Sequence, residues 1–166
     1  MENLINYINP HRPNQKLLNL IKLSCGKVVL SPSKWLSDRW FLRETGFEPN
    51  LTCIEVSSLK NPMIGSNTFI GEKYLNHKVI RFLKDSSYSL DSALKEIDFL
   101  SIIDPDNAFE FLQQINFSIH KIKYFSIAIN PLKTKDRRQN MRDIKGFMND
   151  KAKFKKRNRT ELLYEV

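Results

Sequence analysis

Apolar residues recur at helical spacing through the first part of this chain. Residues 13–24 (PNQKLLNLIKLS) carry Leu and Ile three and four positions apart, which is typical of an amphipathic helix. Residues 31–46 (SPSKWLSDRWFLRETG) begin with a Ser-Pro pair suited to a helix start, and they end at Gly46, a residue suited to a left-handed stop. The pattern therefore predicts a helix over each of these two ranges.

A short β-branched run interrupts the helical pattern. Residues 51–57 (LTCIEVS) are predicted to form a short strand, although the adjacent apolar residues Cys53 and Ile54 break strict alternation. Residues 58–65 (SLKNPMIG) contain an Asn-Pro pair and a Gly, so they are predicted to form a loop.

The stretch 78–84 (KVIRFLK) determines the predicted fold class. A half-buried strand alternates apolar and polar residues, whereas here two apolar residues follow each polar one, which is a helical rhythm. The rhythm extends upstream, so we predict one helix over 67–84. A second helix is predicted over 89–103, with one apolar face formed by Leu90, Leu94, Ile97 and Leu100.

Three later segments complete the predicted elements. A helix is predicted to begin with Asp104 as its cap and Pro105 at its first position. Residues 117–129 fit both a helix and a strand, and the Asn-Pro pair that follows ends the segment in either case. A helix is also predicted in the basic segment beyond it, with one apolar face formed by Met141, Ile144, Phe147 and Met148.

Together these elements predict a mostly α protein. We expect a single compact helical domain of about six or seven helices, with one or two short strands possible. Only 5 of 166 residues are Gly, which argues against a turn-rich barrel and against a Gly-rich loop that cradles phosphate. Residues 1–132 are predicted to form a neutral helical body. Residues 133–166 are predicted to form a basic helix or tail, either within the same domain or partly disordered.

Positive charge is concentrated near the end of the chain. Residues 133–160 contain twelve Lys or Arg and three Asp, a net charge of +9, and the whole chain is also +9. This segment has three open interpretations: a solvated face or mobile tail, an electrostatic docking arm for an acidic protein, or a nucleic-acid footprint. Among specific partners we favour the acidic protein, because the segment has few aromatic residues suited to base stacking.

The sequence gives no sign of membrane insertion or secretion. No apolar run approaches the ~18 residues of a membrane span, and the first residues lack the basic and apolar regions of a signal peptide. Cys25 and Cys53 are interpreted as reduced thiols in a cytoplasm, although a single disulfide between them stays open.

No residue pattern identifies a reaction. His11, His77 and His120 are far apart and form no zinc motif, so no metal site is predicted. Asp104 and Asp106 resemble the start of a calcium loop, but the required Gly and terminal Glu do not follow. We therefore predict a protein that is not an enzyme and has no cofactor. A site assembled by the fold around His77 or His120 with carboxylates stays the open alternative.

Two tryptophans offer possible anchors for a partner. Trp35 and Trp40 lie five residues apart, about 140° around a helix, so they do not share a face. Core packing accounts for both, whereas the alternative is that one of them anchors a partner, since Trp and Arg are enriched at interface hot spots.

Four short segments resemble the type III secretion sorting-platform adaptors, the SctK family. YINPHR at 7–12 is similar to the aromatic-Ile-polar-Pro-x-Arg signature near the start of that family. LSDRWFLRETGFE at 36–48 resembles its Trp/Leu/Arg-rich helix, and FIGEKYLNHKVI at 69–80 resembles its apolar-Gly step into a helix. NAFEFLQQI at 107–115 is a weaker similarity, and the four segments follow the family's order.

The resemblance implies a cytoplasmic, mostly helical, non-enzymatic adaptor. Such proteins link the cytosolic ring component to the inner-membrane ring of a bacterial secretion apparatus. Our first hypothesis is this adaptor function, and the alternative is a small basic nucleic-acid-binding regulator. The predicted partner-binding residues are Tyr7, Pro10, Arg12, Trp35, Trp40, Arg137, Arg138, Arg142, Lys145, Lys155, Lys156 and Arg157.

Overall fold

Helices and strands alternate along the part of the chain that the structure describes. The computed structural model describes residues 21–22, 28–29, 37–57, 66–83, 90, 94–129, 135–157 and 161–166. The strands in these ranges are β1 Ile21–Lys22, β2 Val28–Val29, β3 Thr52–Ser57, β4 Lys78–Leu83, β5 Glu96–Ile102, β6 Lys121–Ala128, β7 Lys153–Arg157 and β8 Glu161–Glu165. The helices are α1 Ser37–Glu44, α2 Phe69–Leu75, α3 Ala108–Gln114 and α4 Lys135–Met148.

Six of these strands form one mixed sheet in the order β4-β3-β5-β6-β8-β7. Neighbouring strands among β4, β3, β5 and β6 are parallel. Between successive parallel strands the chain must cross back to the opposite edge of the sheet. Strand β8 is antiparallel to both of its neighbours, β6 and β7. Strands β1 and β2 form a separate antiparallel pair.

Helices cover both faces of the sheet. On one face, Cys53, Val79, Phe99 and Tyr124 contact α1 and α2 through the side chains of Phe41, Leu42, Ile70 and Leu75. On the other face, Ile54, Leu100, Phe125 and Ile127 contact α3 and α4 through Ala108, Phe111, Leu112, Ile144 and Met148. The domain is therefore a three-layer α/β/α fold of the doubly wound type.

The predicted mostly α fold class, and with it the description of the protein as helical, is wrong. The predicted helix over 67–84 is helix α2 followed by strand β4, and the predicted helix over 89–103 contains strand β5. Both strands place apolar side chains on both faces of the sheet. Strands buried on two faces have apolar runs without alternation, so their pattern was mistaken for helical periodicity.

Several local predictions are confirmed. The strand predicted over 51–57 is β3. Of the two alternatives left open for 117–129, the structure has the strand, β6. The helix predicted over 31–46 is α1 in its described residues, and Gly46 has the expected left-handed conformation, with φ of 61°.

Other helix predictions are met in part. The helix expected from Asp104 begins only at Ala108. The basic helix is α4, with Ile144 and Met148 fully buried as its apolar face predicts. The helix predicted over 13–24 is wrong at its two described residues, which form strand β1. The predicted loop 58–65 lies outside the described residues. No helix in the described ranges has the length and apolar character needed to cross a membrane.

Candidate functional site

The strand order creates a topological switch point between β3 and β5. From β3 the chain crosses to β4 on one side, and it then returns to β5 on the other side of β3. The connection from β3 leads to β4 on one side, and the connection from β5 leads to β6 on the other side. The chain therefore leaves the carboxyl ends of β3 and β5 in opposite directions. In open α/β sheets, ligands bind outside the carboxyl ends of the strands at such a point.

Polar side chains form a row across the sheet near this edge, on the face covered by α1 and α2. Glu55 on β3 pairs in register with Arg81 on β4 and with Ser101 on β5, and Ser101 pairs with Ser126 on β6. Glu55 is 1% exposed and both serines are fully buried. Because serines are small, the row leaves room above β5 and β6 for a side chain from the neighbouring layer.

Glu55 holds the start of α2 against the sheet. Its Oε2 accepts hydrogen bonds from the backbone N–H groups of Asn67 and Thr68 at 3.0 and 3.2 Å, and from the hydroxyls of Ser66 and Thr68 at 2.7 and 2.9 Å. Its Oε1 lies 3.6 Å from Nε of Arg81, whose guanidinium also donates two hydrogen bonds to the Glu72 carboxylate. The Glu55 carboxylate thus accepts the two backbone N–H groups that directly precede α2, where the positive end of the helix dipole lies.

The Asn67 side chain occupies the space above the two serines. Its amide nitrogen donates to Ser101 Oγ and to Glu161 Oε1, both at 2.9 Å. Glu161, which opens β8, also accepts a hydrogen bond from the Ser37 hydroxyl at the start of α1. One buried hydrogen-bond network therefore joins β5 and β8 to the first residues of α1 and α2.

Carboxylates accompany the helix starts at this edge. Glu55 meets α2, Glu161 meets α1, and Asp38 lies buried in the first turn of α1. Asp104 follows β5 and accepts hydrogen bonds from the Asp106 backbone N–H at 3.2 Å and from the Asn107 amide at 2.9 Å. Because the positive ends of these helices already face carboxylates, the edge favours a neutral or cationic ligand over an anion.

The two described histidines lie at the opposite edge of the sheet. His77 precedes β4, its Nε2 donates to the Glu48 carbonyl at 2.9 Å, and its Nδ1 lies 3.7 Å from the Cys53 sulfur. Burial lowers the pKa of His77, while the Glu48 carbonyl and the charges of Asp98 and Glu48 act in the opposite direction. His77 is therefore suited to remain neutral and to fill the core.

The surroundings of Cys53 and His120 also indicate structural roles. Burial is the largest effect that raises the pKa of the Cys53 thiol, with nearby carboxylates adding to it, so the thiol stays protonated. His120 precedes β6, and its Nδ1 donates to the Leu94 carbonyl at 2.7 Å. Neither histidine joins a carboxylate cluster, and no group of three or more metal-ligating side chains occurs within the described ranges.

The predicted partner-binding residues fall into separate regions. Trp40 is partly buried and contacts Tyr124 edge-on at 5.7 Å between ring centroids, as core packing predicts. Arg138, Arg142, Lys145, Lys155 and Lys156 are exposed on α4 and β7. The structure places Arg137 in α4 and Arg157 in β7, while Tyr7, Pro10, Arg12 and Trp35 lie outside the described residues.

The sequence interpretation missed the residues of the switch-point edge. Glu55, Asn67, Ser101 and Ser126 were not singled out, because their proximity depends on the pairing of strands far apart in the chain. A usable signal exists in polar residues that interrupt otherwise apolar strands, such as Glu55 in CIEVS and Ser101 in DFLSI.

Comparisons of this chain with protein families, with curated proteins and with solved structures find no match.

Proposed function

We propose that this chain binds a nucleoside-type small molecule, neutral or cationic and without a pyrophosphate, at the carboxyl ends of β3 and β5. The observation that carries the proposal is the switch point of the parallel strands between β3 and β5. Doubly wound α/β sheets bind nucleotides at this position. The proposal rests on the topology for the location of the site, and on the local chemistry for the class of ligand.

The composition of the edge supports a ligand without pyrophosphate. The connection after β3 holds a single glycine, Gly65, whereas pyrophosphate-binding turns need several glycines to bring backbone N–H groups close to the phosphates. The helix starts around the switch point already face Glu55, Glu161 and Asp104. A negatively charged ligand would be repelled by these carboxylates, whereas a cationic ligand would be attracted.

An adenosyl sulfonium has the required chemistry, because it joins a nucleoside to a positive charge and has no phosphate. We therefore expect S-adenosylmethionine to bind more tightly than NAD+ or ATP in isothermal titration calorimetry, by about tenfold or more, a difference of about 1.4 kcal/mol. Tighter binding of NAD+ or ATP, or heat from none of these compounds, would contradict the proposed function.

A matched pair of variants locates the binding to one edge. Asp104→Asn removes a charge at the carboxyl end of β5, and we expect it to weaken binding of the sulfonium compound about tenfold. Asp98→Asn is the control, because Asp98 lies on the same strand near its amino end and also accepts a backbone hydrogen bond, from Thr52 at 2.8 Å. Equal losses in both variants would place the ligand elsewhere.

We also propose that the protein acts in the cytoplasm. Cys53 is a buried free thiol, and free thiols are usual in compartments that keep cysteines reduced. The test is localisation of the full chain carrying a small epitope tag, and recovery of the tagged chain in a membrane or extracellular fraction would contradict this assignment.

A further inference from the structure

An exposed basic surface covers α4 and β7, away from the switch point. On α4, Arg138, Arg142 and Lys145 are exposed and lie four and three residues apart, so they share one side of the helix. On β7, Phe154 is exposed and faces the same side of the sheet as α4, because it pairs in register with Tyr164. We refer to Arg138, Arg142, Lys145 and Phe154 as the α4–β7 basic surface.

The charges of this surface are not compensated within the described part of the chain. None of its three basic side chains forms an ion pair there, whereas Lys155 on β7 is paired with Glu165. The hydrogen bond to Glu165 raises the pKa of Lys155, which marks that lysine as part of an internal pair. The surface thus retains a net positive charge available to a partner.

The helix and strand portions of the surface are joined through an aromatic ring. Lys145 Nζ lies 4.7 Å from the centroid of the Phe154 ring, and Phe154 packs edge-on against Tyr164 at 5.5 Å. Phe154 is 42% exposed. The surface therefore consists of three basic side chains on one side of α4 with a single exposed ring of β7 beside Lys145.

A membrane surface is disfavoured as the partner. Membrane-bound amphipathic helices insert their apolar face among the lipids. The apolar face of α4 is packed in the core, with Ile144 and Met148 both 0% exposed. Only the charged side of α4 is therefore exposed to a membrane surface.

An acidic protein is also disfavoured as the partner. Protein interfaces derive most of their affinity from a few buried anchors, among which Trp, Tyr and Arg are enriched, and these lie in a core that is more apolar than its rim. The large apolar side chains exposed in the described ranges are Ile119, Phe154 and Val166, and of these only Phe154 belongs to the basic surface. A nucleic-acid backbone, in contrast, is bound largely by Lys and Arg through release of counterions.

We propose that the α4–β7 basic surface binds the phosphate backbone of nucleic acid without reading its sequence. The helical portion from Arg138 to Lys145 spans about 10 Å along the axis. This length corresponds to about three nucleotides at ~3.4 Å each along one strand. The proposal is independent of the ligand at the switch point, because the two sites share no residue.

Fluorescence anisotropy of the full chain with labelled mixed-sequence oligonucleotides tests the proposal. Single-stranded DNA, single-stranded RNA and duplex DNA are titrated at low and at fourfold higher salt. Three phosphate contacts predict a loss of affinity of about 20-fold for single strands and about 40-fold for duplex DNA over a fourfold rise in salt. Absence of binding at low salt, or affinity that does not change with salt, would overturn the proposal.

Two matched triple variants identify the surface responsible. Arg138→Glu, Arg142→Glu and Lys145→Glu together should abolish binding. Lys78→Glu, Lys95→Glu and Lys121→Glu change the net charge equally at exposed positions of the amino edge of the sheet, and should retain most of it. Equal losses in both variants would show a response to net charge alone and would refute the assignment.

Two controls complete the design. The glutamine versions of the α4 variant preserve side-chain polarity and should also weaken binding, while circular dichroism verifies that the helix remains folded. Titrations with polyglutamate and with vesicles containing phosphatidylserine represent an acidic protein and an anionic membrane. Tighter binding to either of them than to the oligonucleotides would overturn the proposal.

Discussion

At the scale of single residues, the contact between Gly71 and His77 shows how closely α2 is packed on the sheet. A Cβ atom added to Gly71 would lie 2.1 Å from Nδ1 of His77, which is far inside van der Waals contact. His77 cannot withdraw easily, because its ring is held by the Glu48 carbonyl on one side and lies beside Cys53 on the other. The absence of a side chain at position 71 is therefore required by packing.

Substitution of two glycines in helices should have opposite effects. Gly71→Ala should lower the free energy of unfolding by about 1–3 kcal/mol, because it overpacks the core. Gly146→Ala is the control: its Cβ would meet no atom within 4 Å, and it should raise stability by about 1 kcal/mol through helix propensity. Urea unfolding of both variants provides the measurement. Changes of the same sign in the two variants would refute the packing argument.

At the scale of elements, α2 depends on a carboxylate that comes from a strand. The N-cap Thr68 makes no side-chain cap hydrogen bond. The Ser66 hydroxyl accepts the backbone N–H groups of Thr68 and Phe69. Glu55 on β3 accepts those of Asn67 and Thr68. Arg81 and Glu72 extend this contact to β4 and back to α2. The helix and the centre of the sheet are thus coupled through one buried side chain.

Replacement of Glu55 should therefore destabilise the whole domain. Glu55→Gln keeps the size of the side chain but removes its charge, and its NH2 group must face either the Arg81 guanidinium or the donors at the start of α2, so we expect a loss of about 3 kcal/mol or more in unfolding free energy. Glu96→Gln, at an exposed position on β5, should change it by less than about 0.5 kcal/mol. Hydrogen exchange should also accelerate at the amides of Asn67 and Thr68, and unchanged exchange there would argue against the role given to Glu55.

At the scale of the whole molecule, the last strand of the chain lies inside the sheet. Strand β8 pairs with β6 on one side and with β7 on the other, and its residues Leu162 and Leu163 are fully buried. The end of the chain is therefore part of the core, although its sequence follows the most basic segment. The basic residues of α4 and β7 lie on the surface around this buried strand.

Truncation of the chain should show that the folded sheet depends on strand β8. Removal of residues 161–166 should abolish cooperative unfolding, because β6 and β7 would each lose their partner. Removal of Val166 alone, which is 72% exposed, should lower the unfolding free energy by no more than about 1 kcal/mol. Thermal unfolding followed by circular dichroism distinguishes the two truncated chains. A cooperative transition in the shorter chain would show that β8 is dispensable.

The adaptor function implied by the resemblance to the SctK family stays a prediction. The helical architecture expected with it is wrong, since a six-stranded sheet forms the centre of the domain. The residues of YINPHR, which begin the resemblance, lie outside the described part of the chain. Affinity capture of the full chain with and without nuclease treatment would separate a protein partner from the nucleic acid proposed for α4 and β7.

Local chemistry determined several features directly from the sequence. Gly46 marks the end of α1, the β-branched run at 51–57 forms β3, and the apolar stripe of α4 is buried as its spacing predicts. The concentration of charge after residue 133 is likewise a property of the sequence alone. These features depend on neighbours within a few positions, so a linear pattern is sufficient to specify them.

Only the tertiary structure decided the fold class and the composition of the switch-point edge. Whether KVIRFLK forms a helix or a strand depends on a partner strand, because β4 packs partly buried apolar side chains on both faces and its pattern fits either state. Glu55, Ser101 and Ser126 are neighbours solely through the register of β3, β5 and β6. Contacts between residues dozens of positions apart arise from chain topology, and local periodicity contains no information about that topology.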